Sequence, residues 1–368
     1  MEKIGKDAIL PVLQSSSVRY NCEKADDGRV VVFTILTKPP LSLFLSNAIA
    51  SRRFRRGRYL FRPYFSAYPL ERPVPMMNRR SFLQAGLGAL AVASLPSSLF
   101  AAYKQGEKRI PIALQLYSLR DVAGKDVPGA LKKVAEMGYE GVEFAGYYGF
   151  DNNPKELRKM LDDVGLKATS THIGFGAIQG DALKKSAEIA HALGFNKLIV
   201  PGGLEGRMRA SHDSNKKIAE EMSKCAEEAA KLDCLVGFHG HTGDFLYING
   251  TEDSAWTTFF NNCDERVIAQ VDVGWANNAM RKHGIKLTPA ETIAALPGRG
   301  KCIHIKSNGD VHGCAVADSD DKVDWASVLD ACREKGGTEW FVVEQEQFKV
   351  NPWESAKDCV DNLKKIGW

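Results

Sequence analysis

From Ile110 onward, short apolar runs alternate with longer amphipathic stretches. The runs are rich in Val, Ile and aromatic residues and read as strands; the stretches repeat their apolar positions at helical spacing. The pattern predicts strands over 112–117, 141–144, 167–172, 197–200, 235–239, 267–273, 302–306 and 340–344. Helices are predicted near 128–137, 154–164, 180–193, 213–232, 252–262, 288–296, 324–335 and 354–366. Asp213 and Asp324 stand where N-caps belong, and Gly138, Gly165, Gly194 and Gly336 where helices stop. Eight strand–helix units in about 260 residues are the size of an α/β (β/α)8 TIM barrel. A doubly wound open sheet is the alternative, but no GxGxxG follows the first strand.

Composition changes the picture mainly before Ile110. A chain of 368 residues with 44% hydrophobic and 26% charged residues is neither disordered, collagen-like nor a disulfide-stapled miniprotein. Its net charge of +4 is unevenly spread. Residues 1–76 hold 13 Lys+Arg against 6 Asp+Glu, leaving 36 basic and 39 acidic residues for the rest. The mildly acidic body carries no general attraction for nucleic acid or anionic membrane. The leader shows no sustained helical or strand period, and its cluster Arg52, Arg53, Arg55, Arg56 and Arg58 reads as solvated leader rather than a nucleic-acid arm. The apolar stretch 30–50 is broken by Lys38-Pro39-Pro40 and makes a poor membrane span.

Met77-Asn78-Arg79-Arg80-Ser81-Phe82-Leu83-Gln84 precedes a short, weakly apolar run. This resembles a twin-arginine (Tat) export signal. The resemblance implies a start at Met76 or Met77, with residues before it an over-extended gene start. It also implies cleavage near Ala101 or Ala102, and a periplasmic protein without stable membrane insertion after cleavage. The expected organisation is a leader over 1–76, a signal over 77–102 and a single barrel over 108–368. Of the eight cysteines, seven follow the leader and none forms a CxxC pair; they read as small core residues rather than a thiolate zinc knuckle.

In a barrel, reactive residues belong at the C-terminal ends of the strands. The predicted strand ends carry Glu143, His172, His239-Gly240-His241, Asp272-Val273-Gly274-Trp275, His304-Ile305-Lys306 and Glu344-Gln345-Glu346. Taken in order, these ends resemble the sugar phosphate isomerase/epimerase family, the xylose isomerase-like TIM barrels. The resemblance implies one divalent metal ion (Mn, Zn, Fe or Co) held by His239, Asp272, His304 and Glu344. Such an ion would polarise a carbonyl and hold an enediolate. Glu143, His172, His241, Lys306, Glu344 and Glu346 are the candidate catalytic residues, and Lys306 could instead neutralise an enediolate oxygen or form an ion pair with Glu344 or Glu346. Tyr117, Trp275 and Phe348 stand where they could stack on a sugar. The chain departs from the family pattern where epimerases commonly have Glu and it has His239, and again at Ser307, where relatives often have an acid.

The implied activity is a metal-dependent isomerase or epimerase of a sugar or keto-sugar, with a small, unphosphorylated carbohydrate as partner. A lyase or dehydratase acting on an oxidised sugar or glycoside is the alternative, and His239 in place of Glu leans toward it. A non-catalytic sugar-binding barrel ranks lower, and so does a nuclease, because the acidic body argues against nucleic acid. A homo-oligomer is compatible with the sequence.

Overall fold

The structure is a computed structural model that describes residues 109–367, together with the backbone of two strands earlier in the chain. The arginine cluster, the twin-arginine segment and the expected cleavage site lie outside the described residues. In the first of two compact units, β1 (Val18–Lys24) pairs antiparallel with β2 (Val30–Leu36). The leader was expected to lack a strand period, and the structure differs here. The β-branched and aromatic run Val30-Val31-Val32-Phe33-Thr34-Ile35 supplies the propensity, without needing an alternating pattern.

The second unit contains eight parallel strands: β3 (Ile112–Gln115), β4 (Gly141–Phe144), β5 (Lys167–His172), β6 (Lys197–Val200), β7 (Leu235–His239), β8 (Ile268–Gln270), β9 (Cys302–Ile305) and β10 (Trp340–Val343). Their order is β8-β7-β6-β5-β4-β3-β10-β9, so sequence neighbours are spatial neighbours around a ring. The ring closes between β8 and β9 through the parallel bridge Asp272–His304 and the bond from His304 N–H to Val271 O at 3.0 Å. A doubly wound sheet would reverse strand order midway, and this one does not.

The helices are α1 (Val127–Met137), α2 (Pro154–Val164), α3 (Gly180–Leu193), α4 (Glu205–Ala210), α5 (His212–Ala230), α6 (Ala255–Asn262), α7 (Val273–His283), α8 (Pro289–Ala294), α9 (Trp325–Ala331) and α10 (Pro352–Lys365). Three differences from the sequence reading matter. Ser211, not Asp213, caps α5, its side chain accepting from Ser214 N–H. The last helical turn before β10 is a π-type segment over Cys332–Gly336, so Gly337 rather than Gly336 takes the left-handed position. The sixth barrel strand ends at Gln270, because Asp272 starts α7, a helix the reading omitted.

The barrel interior is built in layers set by the two-residue period of the strands. Ala113, Ile199, Ile268, Cys302 and Val342 form an apolar floor, separate from the large core between strands and helices. Gly237 belongs to this floor: a Cβ there would lie 2.6 Å from Ile199 Cδ1 and 2.8 Å from Ile268 Cβ. Two residues further along these strands, the interior turns polar with Gln115, His239, Gln270, His304 and Glu344. All seven described cysteines are free, and six are buried, as core residues would be. Among the described residues, no helix is long and apolar enough to cross a membrane.

Candidate functional site

Strands β7 to β10 bring His239, Asp272, His304 and Glu344 together at the C-terminal mouth of the barrel. One potential ligand atom from each lies within 4.8 Å of the others, and all four residues are buried. His304 Nδ1 is 3.2 Å from Glu344 Oε2 and 3.8 Å from Asp272 Oδ2, while His239 Nε2 is 4.0 Å from Asp272 Oδ2. Asp272 owes its orientation to the start of α7, where Oδ1 accepts the Trp275 N–H at 2.9 Å. Its other oxygen, Oδ2, is buried without a hydrogen-bond partner. The Lys306 ammonium faces that oxygen at 3.2 Å as an ion pair outside hydrogen-bond geometry. Two imidazoles and two carboxylates, one with a buried, unsatisfied oxygen, fit a divalent ion of the Mn, Zn, Fe or Co class better than the all-oxygen cages of calcium.

The electrostatics follow from burial and these neighbours. Burial alone would raise Glu344, but Lys306 and His304 hold it well below the usual carboxylate range. Burial dominates at Asp272 and raises its pKa despite Lys306. Burial and then the neighbouring His304 and His172 push His239 well below the ordinary imidazole range, so it is neutral. Burial would lower His304 too, yet the Glu143 and Glu344 carboxylates push it up to about 10. Lys306 is raised against its burial by Asp272, Glu344 and Glu346.

The remaining sequence candidates divide into two groups. Lys306, His241 and Glu346 line the mouth. Lys306 Nζ is 2.9 Å from Glu344 Oε2 and from Glu346 Oε1, and 4.7 Å from the Trp275 ring centre. Its approach requires Gly274, where a Cβ would lie 2.8 Å from Lys306 Cγ. His241 is half-buried, its ring 4.8 Å from that of His239, and burial lowers its pKa. Glu346 is 30% exposed.

Glu143 and His172 pack against each other and against His304 instead, and His172, His239 and His304 form a second group that could hold a metal ion. Glu143 is completely buried and accepts from Gln115 Nε2 at 2.7 Å, Gln270 Nε2 at 2.8 Å and the Ser170 hydroxyl. It also meets His304 Nε2 at 2.6 Å and His172 Nε2 at 3.0 Å. Both its oxygens are engaged by these neighbours; burial would raise its pKa, but His172 and His304 hold it well down. His172 stacks on His304 at 5.2 Å, with Nε2 2.7 Å from Gln270 Oε1. Gln115, Ser170 and Gln270 were not among the sequence candidates.

Of the aromatic residues considered for stacking, Tyr117 is 44% exposed with the Arg120 guanidinium 4.6 Å from its ring centre. The Phe348 ring centre lies 5.9 Å from the same guanidinium, and Trp275 packs against Lys306.

No curated protein matches the chain. Among solved structures, it resembles a sugar phosphate isomerase/epimerase from Parabacteroides distasonis, at 23% identity and a TM-score of 0.58, covering 71% of this chain and 98% of that one. It also resembles a 3-keto-D-glucoside 4-epimerase from E. coli, at 16% identity and a TM-score of 0.53, covering 70% of this chain and 100% of that one. A third is a probable 3-DHS dehydratase from Bacillus anthracis, at 15% identity and a TM-score of 0.51, covering 69% and 99%. At these identities the likeness is one of fold. The profile of the xylose isomerase-like TIM barrel family matches residues 131–366, which include all eight of these barrel strands but the first, and the chain belongs to that family.

Proposed function

We propose that the protein is a metal-assisted enzyme acting beside a carbohydrate carbonyl, in the first place as an isomerase or epimerase. The observation that carries this reading is the convergence of His239, Asp272, His304 and Glu344 at the barrel mouth, with Asp272 Oδ2 buried and unsatisfied. These four residues would hold one divalent ion, which when bound polarises a carbonyl oxygen and acidifies the neighbouring C–H. Similar folds act on a 3-keto-glucoside and on D-allulose, consistent with a sugar that carries a carbonyl. The Tat-like segment at 77–102 supports export to the periplasm, where an unphosphorylated sugar is the natural substrate.

The chain's own residues handle the proton. His241 is neutral and reaches the mouth, so its imidazole can accept a proton from the C–H. Lys306 can donate to a substrate oxygen once it releases one of its three carboxylates, and the partly exposed Glu346 gives way most readily. The imidazolium formed at His241 can then return its proton to carbon, while Lys306 recovers its own from the substrate oxygen and re-forms the pair with Glu346. The buried Glu344 is shared with His304 and Lys306 and holds charge rather than carrying protons.

One observation favours a second reading. Epimerisation needs proton carriers on both faces of a carbon. His239, standing where epimerases commonly have Glu, has Nδ1 on Gln270 Oε1 at 3.0 Å and Nε2 facing Asp272, leaving no nitrogen for substrate. Abstraction from one face suits elimination: the base takes the α-proton, the C–H electrons form a C=C bond, and a hydroxyl or alkoxyl group leaves the β-carbon with a proton.

The test is metal content of protein expressed from Met77, beside His239→Ala and Glu344→Ala, followed by incubation with keto-sugars and mass detection. About one ion per chain, lost in both variants, is expected under the usual stoichiometry of such sites. A product of unchanged mass marks isomerisation, and loss of water or an alcohol marks elimination. Absence of metal under metal-replete conditions would sink the mechanism.

A further inference from the structure

We infer that the buried pair Glu143 and Gln270 fixes which nitrogen of each histidine faces the metal, and that it fixes opposite ones: Nε2 of His239 and Nδ1 of His304. The inference rests on the metal reading above and goes beyond it, since the four-ligand set does not determine the nitrogens.

The assignment follows from counting donors and acceptors. Gln270 Nε2 lies 2.8 Å from Glu143 Oε2, and a carboxylate can only accept, so the amide nitrogen must point there. Flipping the amide would set its oxygen against the carboxylate. The Gln270 oxygen is therefore an acceptor, 3.0 Å from His239 Nδ1 and 2.7 Å from His172 Nε2. Both of those ring nitrogens carry hydrogen. With its proton on Nδ1, His239 presents the Nε2 lone pair, the atom 4.0 Å from Asp272 Oδ2.

The same logic runs through Glu143. Its Oε1 meets His304 Nε2 at 2.6 Å, so that nitrogen also donates. His304 Nδ1 faces Glu344 and Asp272 at 3.2 and 3.8 Å; without metal it donates to Glu344 as well, so with Nε2 held on Glu143 it is the Nδ1 proton that a metal would displace. Glu143 is held in turn by Gln115 and Ser170 from β3 and β5, so its position does not depend on the histidine it orients. The network thus ties the two imidazoles to each other through Gln270 and Glu143. Such outer partners keep a ligating ring in one orientation and raise its basicity, and their removal typically costs 10- to 100-fold in metal affinity. Glu143 and Gln270 are positioning residues: both are fully buried, and they act through the histidines they bond.

The experiment uses the full chain labelled with 15N-histidine and loaded with Zn²⁺. Long-range 1H–15N spectra distinguish a ring metallated at Nδ1 from one metallated at Nε2. The expected result is one histidine of each kind, each ring assigned through correlations to its own backbone resonances. Both rings metallated through the same nitrogen, or the reverse assignment, would overturn the inference while leaving the metal reading intact. Failure of Zn²⁺ to bind at all would remove the reading on which it rests. Chelator competition on Glu143→Gln gives a second readout. Its Zn²⁺ affinity should fall about 10- to 100-fold, and Glu143→Asp should recover part of the loss. A variant that loses thermal stability but keeps wild-type affinity would show Glu143 to be structural only.

Discussion

Replacing Lys306 with Met should destabilise the metal-free protein and tighten its hold on metal. Lys306 Nζ lies 2.9 Å from Glu344 Oε2, 3.2 Å from Asp272 Oδ2 and 2.9 Å from Glu346 Oε1, and the side chain is 6% exposed. Glu346 reaches water and can solvate its own charge. Asp272 and Glu344 cannot, and they are left with His304 as the one cation beside them among these contacts. Breaking a buried ion pair by removing one partner costs about 3–5 kcal/mol, and Met keeps most of the volume, which holds the packing loss small. For a barrel of this size, that lowers the melting temperature by roughly 10 °C. The metal-bound state responds oppositely, because a divalent ion supplies the charge those oxygens need. An ammonium about 4 Å from a bound cation opposes it by several kcal/mol at an effective dielectric of about 20. Partial release of Lys306 toward Glu346 reduces the net gain to about tenfold or somewhat more in affinity. Thermal unfolding after chelation, repeated with saturating Zn²⁺, measures the first effect, and competition with a coloured chelator the second. An unchanged melting temperature without metal, or weaker metal binding in the variant, would refute the argument that Lys306 acts as the site's internal cation.

Two further outcomes follow from other parts of the barrel. Burial, opposed by the bond from the His241 N–H, raises the Asp244 carboxyl from 3.8 to about 7, and its Oδ1 has no partner. A raised acid holds its proton more tightly in the folded state, so its favourable contribution is complete below pH 4 and is lost as pH rises toward 7. Asp244→Asn should therefore be the more stable protein, by a margin that widens by about 2 kcal/mol between pH 5 and pH 8 in urea titrations; a constant margin would count against the shift. Gly237→Ala places a methyl 2.6 Å from Ile199 Cδ1 and 2.9 Å from the Ile268 carbonyl oxygen. It should cost about 1–3 kcal/mol by overpacking the barrel floor, read from the urea midpoint, and a neutral result would mean that the floor relaxes.

The strand ends were legible because two constraints coincide in a barrel. Parallel strands buried on both faces leave continuous apolar runs, and the first polar residue at each C-terminal end marks the mouth. That is why His239, His304 and Glu344 could be placed from the sequence. The interior below them was harder to read. Gln115, Ser170 and Gln270 are ordinary polar residues in sequence, and only closure of the ring shows that all three converge on Glu143. Glu143 itself looked like a reactive strand-end acid, because sequence does not distinguish a carboxylate at the mouth from one saturated by neighbours beneath it.

Asp272 shows most clearly why local reading and site chemistry can diverge. Its neighbours Val271 and Val273 extend the apolar run, so a strand over 267–273 is the natural expectation. The signals for a helix lie further on, in Arg281, Lys282 and His283 in its last turn and the left-handed Gly284 at its end. The carboxylate satisfies both demands by dividing its oxygens. Oδ1 caps the helix through the Trp275 N–H, which fixes the plane of the group, and Oδ2 is thereby turned into the cluster with no hydrogen-bond partner. The helix start is thus part of the proposed ligand site: had the strand continued to residue 273, the carboxylate would have no cap to hold its plane. The helix absent from the sequence pattern and the oxygen without a hydrogen-bond partner are two consequences of the same residue.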